Sequence, residues 1–102
     1  MVVSLTILFL LVFSCSNSLI QEEPSSIKFD NAIKYIKDDK YSRAIDELEY
    51  LLLVDPLSDY ASDAQYYLAE SYYNLDNFQK AIEEFEKYLS RRSLSHELLK
   101  KS

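Results

Sequence analysis

Residues 66–89 read YYLAESYYNLDNFQKAIEEFEKYL, and residues 29–52 read FDNAIKYIKDDKYSRAIDELEYLL. Laid over one another at an offset of 37, they agree position by position. Ala32 meets Ala69, Tyr35 meets Tyr72, Tyr41 meets Phe78, Ala44 meets Ala81 and Ile45 meets Ile82. Leu48 meets Phe85, Leu51 meets Tyr88, Leu52 meets Leu89, and Asp39 meets Asp76. A self-match at a period of 20 to 50 residues is the mark of stacked supersecondary units, because each unit buries its apolar face on the next. In the second half of each copy the apolar residues fall at offsets 0, 3, 4, 7, 10 and 11, one stripe of an α-helix. Each copy therefore reads as a helical hairpin. The stretches KDDK and NLDN supply the turns, with Asp39 and Asp76 expected as N-caps and Gln79 completing a capping box behind Asp76.

Composition supports an all-α chain. There is no glycine and only two prolines, Pro24 and Pro56, in 102 residues. Without glycine, phosphate-cradling loops, dinucleotide fingerprints and nucleophile elbows are excluded, since each needs backbone geometry that glycine adopts cheaply. The net charge is −6 and unevenly spread. Residues 22–86 hold 16 acids and 6 bases, whereas residues 87–102 hold 5 bases and 1 acid. A body of that sign repels phosphates, which disfavours nucleic acid. The basic end suits a helix C-terminus, where cations complement the macrodipole.

The paired hairpins resemble the tetratricopeptide repeat. Its pattern of a small residue and an aromatic on the first helix, then an aromatic, Ala and a large apolar residue on the second, is matched by Ala32, Tyr35, Tyr41, Ala44 and Leu48, with Pro56 after them. The second copy offers Leu68, Ala69, Tyr72, Phe78, Ala81 and Phe85, with Ser93 where the proline would stand. Small side chains at 32, 44, 69 and 81 allow helix axes to approach closely. The resemblance covers about residues 26–93. It implies an α-solenoid over residues 27–102, two repeats plus a short terminal helix. Residues 94–101, LSHELLKK, are expected to open a third unit or a cap, with His96 at the start of a last helix; a fragment of a longer gene is the expectation and a short protein with a makeshift cap the alternative.

At the other end, residues 2–13, VVSLTILFLLVF, form an apolar run with only Ser4 and Thr6 interposed. As a helix it would be about 18 Å long, against a hydrocarbon core of about 30 Å, so it reads as the hydrophobic region of an export signal. The following VFSC, residues 12–15, resembles the bacterial lipobox, and the resemblance implies a signal peptide over 1–14 and a lipidated Cys15. Phe13 is bulkier than usual for that motif, and the first fourteen residues carry no Lys or Arg. A lone cysteine cannot close an internal disulfide, and with His96 as the only histidine it lacks company as a metal ligand. Lipidation is the expectation and a plain cleaved signal the alternative. Residues 15–26, with SNSLIQEEPSS after the cysteine, have the composition of a flexible tether.

A lipobox followed closely by such repeats is similar to the BamD family, lipoprotein partners of the β-barrel assembly machinery. Related repeats occur in the Tol-associated CpoB and in secretin pilots. The BamD resemblance implies an outer-membrane location on the periplasmic face, partners among assembly components or unfolded outer-membrane protein segments, and no cofactor. By the same resemblance the first helices line a partner groove, with Phe29, Ile33, Ile36 and Lys37 from one unit and Asp63, Tyr66, Glu70, Tyr73 and Asn74 from the other. Packing between repeats is the competing reading for each of these aromatics. Repeats that clamp a C-terminal carboxylate carry Lys and Asn where Phe29 and Ile33 stand, so no such clamp is expected. No acid/base pair or metal cluster suggests catalysis. Glu83, Glu84 and Glu86 are expected on a solvated face, with Glu83 spaced to meet Lys87.

Overall fold

The computed structural model describes residues 24–101. They form four helices and, among the described residues, no strand: α1 (Ser25–Lys37), α2 (Tyr41–Val54), α3 (Ala61–Asn74) and α4 (Phe78–Lys101). Each helix packs on the next in chain order, so α1/α2 and α3/α4 are the two hairpins and the α2/α3 contact joins them. The export signal, Cys15 and most of the tether lie outside the described residues.

The core follows the apolar stencil. Ala32, Ile45, Leu48, Leu51, Ala64 and Leu68 form one buried cluster, with Phe29, Leu52, Tyr67 and Tyr72 packed around it. Leu48 and Leu51 are completely buried, each contributing about 1.5–3 kcal/mol relative to an exposed side chain. The alanines at 32, 44, 64 and 69 are fully buried as well. Their small side chains let the helix axes close on one another, as a larger residue there would not.

The turns differ from the sequence expectation in an instructive way. Asp39 and Asp76 are not N-caps: both have positive φ, 60° and 62°, and each ends the helix before it. The Asp39 amide donates to Ile36 O at 3.0 Å and the Lys40 amide to Tyr35 O at 2.8 Å. In the second hairpin Asp76 donates to Tyr73 O and Asn77 to Tyr72 O, both at 3.0 Å. This is a Schellman closure, which needs one residue in the left-handed region; glycine is usual, and Asp is among the few others that tolerate it. A chain lacking glycine therefore uses Asp twice. The N-cap of α4 falls one residue later, on Asn77, whose Oδ1 accepts from the Lys80 amide at 3.4 Å. The capping box with Gln79 does not form, because its register is shifted by that residue. Lys40, at the matching place before α2, makes no side-chain cap.

The expected short terminal helix is likewise absent as a separate element. α4 runs 24 residues without a break, so His96 lies inside it rather than at a helix start. The cause lies at the proline position. After α2, Asp55 leaves the helical region (φ −141°, ψ 63°) ahead of Pro56, which disfavours helix at the residue before it. Arg92 and Ser93 occupy the equivalent places in α4 and impose no such restriction.

The repeat is also unequal in burial. Ile45 is 7% exposed, whereas its counterpart Ile82 is 58% exposed, and Leu89 reaches 64% where Leu52 is only half-buried. α3 covers the stripe on α2, and among the described residues no helix covers the equivalent stripe on α4.

Candidate functional site

On α3 the buried residues are Ala61, Ala64, Gln65, Leu68, Ala69 and Ser71. Spacings of three and four residues then place Asp63, Tyr66, Glu70, Tyr73 and Asn74 together on the opposite side. The fold thus brings these five onto one face. Tyr66 is 40% exposed and Tyr73 56% exposed; Asp63 and Asn74 are exposed and Glu70 is half-buried. Asn74 spends its Nδ2 on Glu70 O of its own helix at 2.9 Å. On α1, Lys37 is exposed, Ile33 and Ile36 are half-buried, and Phe29 is packed against the core. For Phe29 the packing reading is the one the structure supports.

Aromatic rings tie the two hairpins together. Phe29 lies 5.4 Å from Tyr60 and 5.9 Å from Tyr67 between ring centroids. Tyr67 meets Tyr66 edge-on at 5.5 Å, and Tyr66 meets Phe85 at 5.8 Å and Tyr88 at 5.5 Å. Edge-to-face pairs of this kind add to area burial and fix ring orientation. Tyr66 is therefore held by three neighbouring rings while staying partly open to solvent, and Tyr73 is similarly set against Phe78 at 5.3 Å. Tyr60 and Tyr88 take part in this ring system without having been expected there. Neither falls on the first-helix positions from which the groove was read.

Each hairpin is also fastened by a polar pair that the repeat period aligns but apolar patterning does not reveal. In the first hairpin Lys28 Nζ lies 3.3 Å from Glu47 Oε2 and 4.6 Å from the centroid of the Tyr50 ring. Thirty-seven residues on, Gln65, Glu84 and Lys87 take the three places. Gln65 Nε2 donates to Glu84 Oε2 at 2.6 Å and to Glu84 O at 3.0 Å. Lys87 Nζ lies 3.0 Å from Glu84 Oε1, and Lys80 Nζ 3.6 Å from it. The cation is supplied by the first helix in one hairpin and by the second in the other.

Glu84 is consequently 4% exposed rather than solvated, and Lys87 pairs with it rather than with Glu83, which meets Lys80 at 3.5 Å. Burial by itself raises the Glu84 carboxyl, but the hydrogen bonds from Gln65 and Lys87 and the nearby cations outweigh it, leaving it below the ordinary glutamate value. Tyr72 donates to Glu49 Oε1 at 2.5 Å, linking α3 to α2. Burial, then that bond and the Glu49 charge, push its phenol well above the usual tyrosine value. These are packing devices between helices. Among the described residues no group of His, Cys, Asp and Glu could hold a metal, and no helix is long and apolar enough to cross a membrane.

Comparison with known proteins gives one assignment. The family model described as YfiO, outer membrane lipoprotein, matches residues 21–98. No curated protein matches significantly.

Proposed function

The chain belongs to the YfiO family of outer membrane lipoproteins, and from that premise we propose a lipid-anchored scaffold, fastened through Cys15 on the periplasmic side, that binds partner proteins in outer-membrane β-barrel assembly. Membership gives the envelope setting. The role in assembly rests on the likeness to BamD read in the repeats. The observation that carries a binding role is the α3 face: Tyr66 and Tyr73 are oriented by neighbouring rings yet left 40% and 56% exposed. Large aromatics held rigid and open are the side chains that anchor protein partners, because they offer area at little entropic cost. The second reading is a general envelope adaptor, of the kind that serves division or secretin assembly. The same face would serve it.

Photocrosslinkers placed at Tyr66 and Tyr73 should capture envelope proteins, and mass spectrometry of the captured bands separates the two readings. The outward control is Glu86, which is exposed; Glu84 cannot serve, being buried. Labelling at Tyr66 and Tyr73 no stronger than at Glu86 would reject the face as a docking surface. For the anchor, the mass of the purified protein should show loss of residues 1–14 and an acylated Cys15. An intact Met1, or an unmodified cysteine, would refute it.

A further inference from the structure

The first hairpin shows how this protein holds an ammonium group. Glu47 and Tyr50, three residues apart on α2, receive Lys28 between them, with 3.3 Å to the carboxylate and 4.6 Å to the ring. Carboxylate and π face both select a cation, and both act on the same group. The acid-x-x-Tyr pairing recurs twice on α3, as Asp63 with Tyr66 and Glu70 with Tyr73. All four side chains lie on the side of α3 turned away from the core. Among the described residues neither Asp63 nor Glu70 has a cation within ion-pair distance. Lys37 of α1 pairs with neither.

Resting on the reading of this face as a docking surface, we infer that it recognises a partner segment carrying two lysine or arginine side chains, one for each acid-x-x-Tyr pair. The pairs are seven residues apart on one helix, about 10.5 Å. A polyproline II segment, with three residues per turn, spans that distance with basic residues at positions i and i+3 on one face, about 9.3 Å apart. The two intervening side chains point away from α3, so prolines there hold the conformation without opposing contact. The charge is complementary to the acidic body of the chain, so long-range attraction and local contact have the same sign.

The test uses the full chain in detergent micelles and a fluorescein-labelled polyproline II peptide with lysines at i and i+3 separated by two prolines, read by fluorescence anisotropy. Each pair combines an exposed ion pair with a cation–π contact, about tenfold in affinity, so the two together are on the order of a hundredfold. Acetylating both lysines should weaken binding by that factor. So should Asp63→Asn combined with Glu70→Gln, near-isosteric changes whose effect on the fold is checked by circular dichroism. Equal binding of the acetylated probe, unchanged binding by the double variant, or no binding of the lysine probe overturns the inference. If Tyr66→Ala abolishes binding while Asp63→Asn with Glu70→Gln does not, the docking face survives and the cation pairs do not.

Discussion

Replacing Gln65 by Leu should destabilise the protein by about 2 kcal/mol at neutral pH. Leu is close to Gln in volume, so little cavity opens, and the cost comes from the two bonds Gln65 gives to Glu84. Hydrogen bonds to a charged group are worth about 1.5–3 kcal/mol, and a buried carboxylate oxygen left without its donor bears the full desolvation penalty. Lys87 and Lys80 remain near the other oxygen, Oε1, but they are half-exposed and offset little. A domain of this size is stable by roughly 5–10 kcal/mol, so the loss is a sizeable fraction. Urea unfolding followed at 222 nm measures it. The cost has a pH signature. Glu84 is depressed in the folded protein, so its stabilisation is present above the ordinary glutamate value and lost as pH falls through the folded one. Removing Gln65 raises the folded value, so the cost of Gln65→Leu should shrink as pH falls through the glutamate range towards the depressed wild-type value. The double variant Gln65→Leu with Glu84→Leu should lie closer to wild type than the single change, because removing both polar partners is nearly neutral. A single variant within 0.5 kcal/mol of wild type (an order-of-magnitude bound), or a double variant as damaged as the sum, would refute the account.

Other expectations follow from the same geometry. Asp76→Gly should stabilise by about 0.5–1 kcal/mol, since glycine adopts positive φ without the Cβ penalty, whereas Asp76→Val should destabilise by more than that; thermal melts compare the two. The repeat's inequality predicts that Ile45→Ala costs about 2–4 kcal/mol and its counterpart Ile82→Ala well under 1 kcal/mol, because only the first leaves a buried void. Similar midpoints in urea for the two variants would contradict the observed packing. The Tyr72 phenol should resist ionisation in an ultraviolet titration, held protonated by burial and its bond to Glu49. A phenol raised in the folded state adds stability that is lost as pH rises through its folded value, so Tyr72→Phe should lose its effect on stability at strongly alkaline pH.

The repeat of 37 residues, the absence of glycine and the apolar stencil were enough to determine four helices in two hairpins and most of the core, because burial at helical spacing is written in the order of residues. The five α3 positions on one face were legible for the same reason: a helix converts spacing into direction. Tertiary structure decided what depends on two segments at once. Glu84 looks like a solvated residue until Gln65, nineteen positions earlier, is brought against it. Ile82 looks as buried as Ile45 until the neighbour that covers one and not the other is in place. The Asp residues of the turns needed the actual backbone, since left-handed closure and N-capping favour the same residue type and differ by one position. The length of α4 turned on Ser93 standing where proline does not, a permissive choice that spacing alone leaves undetermined.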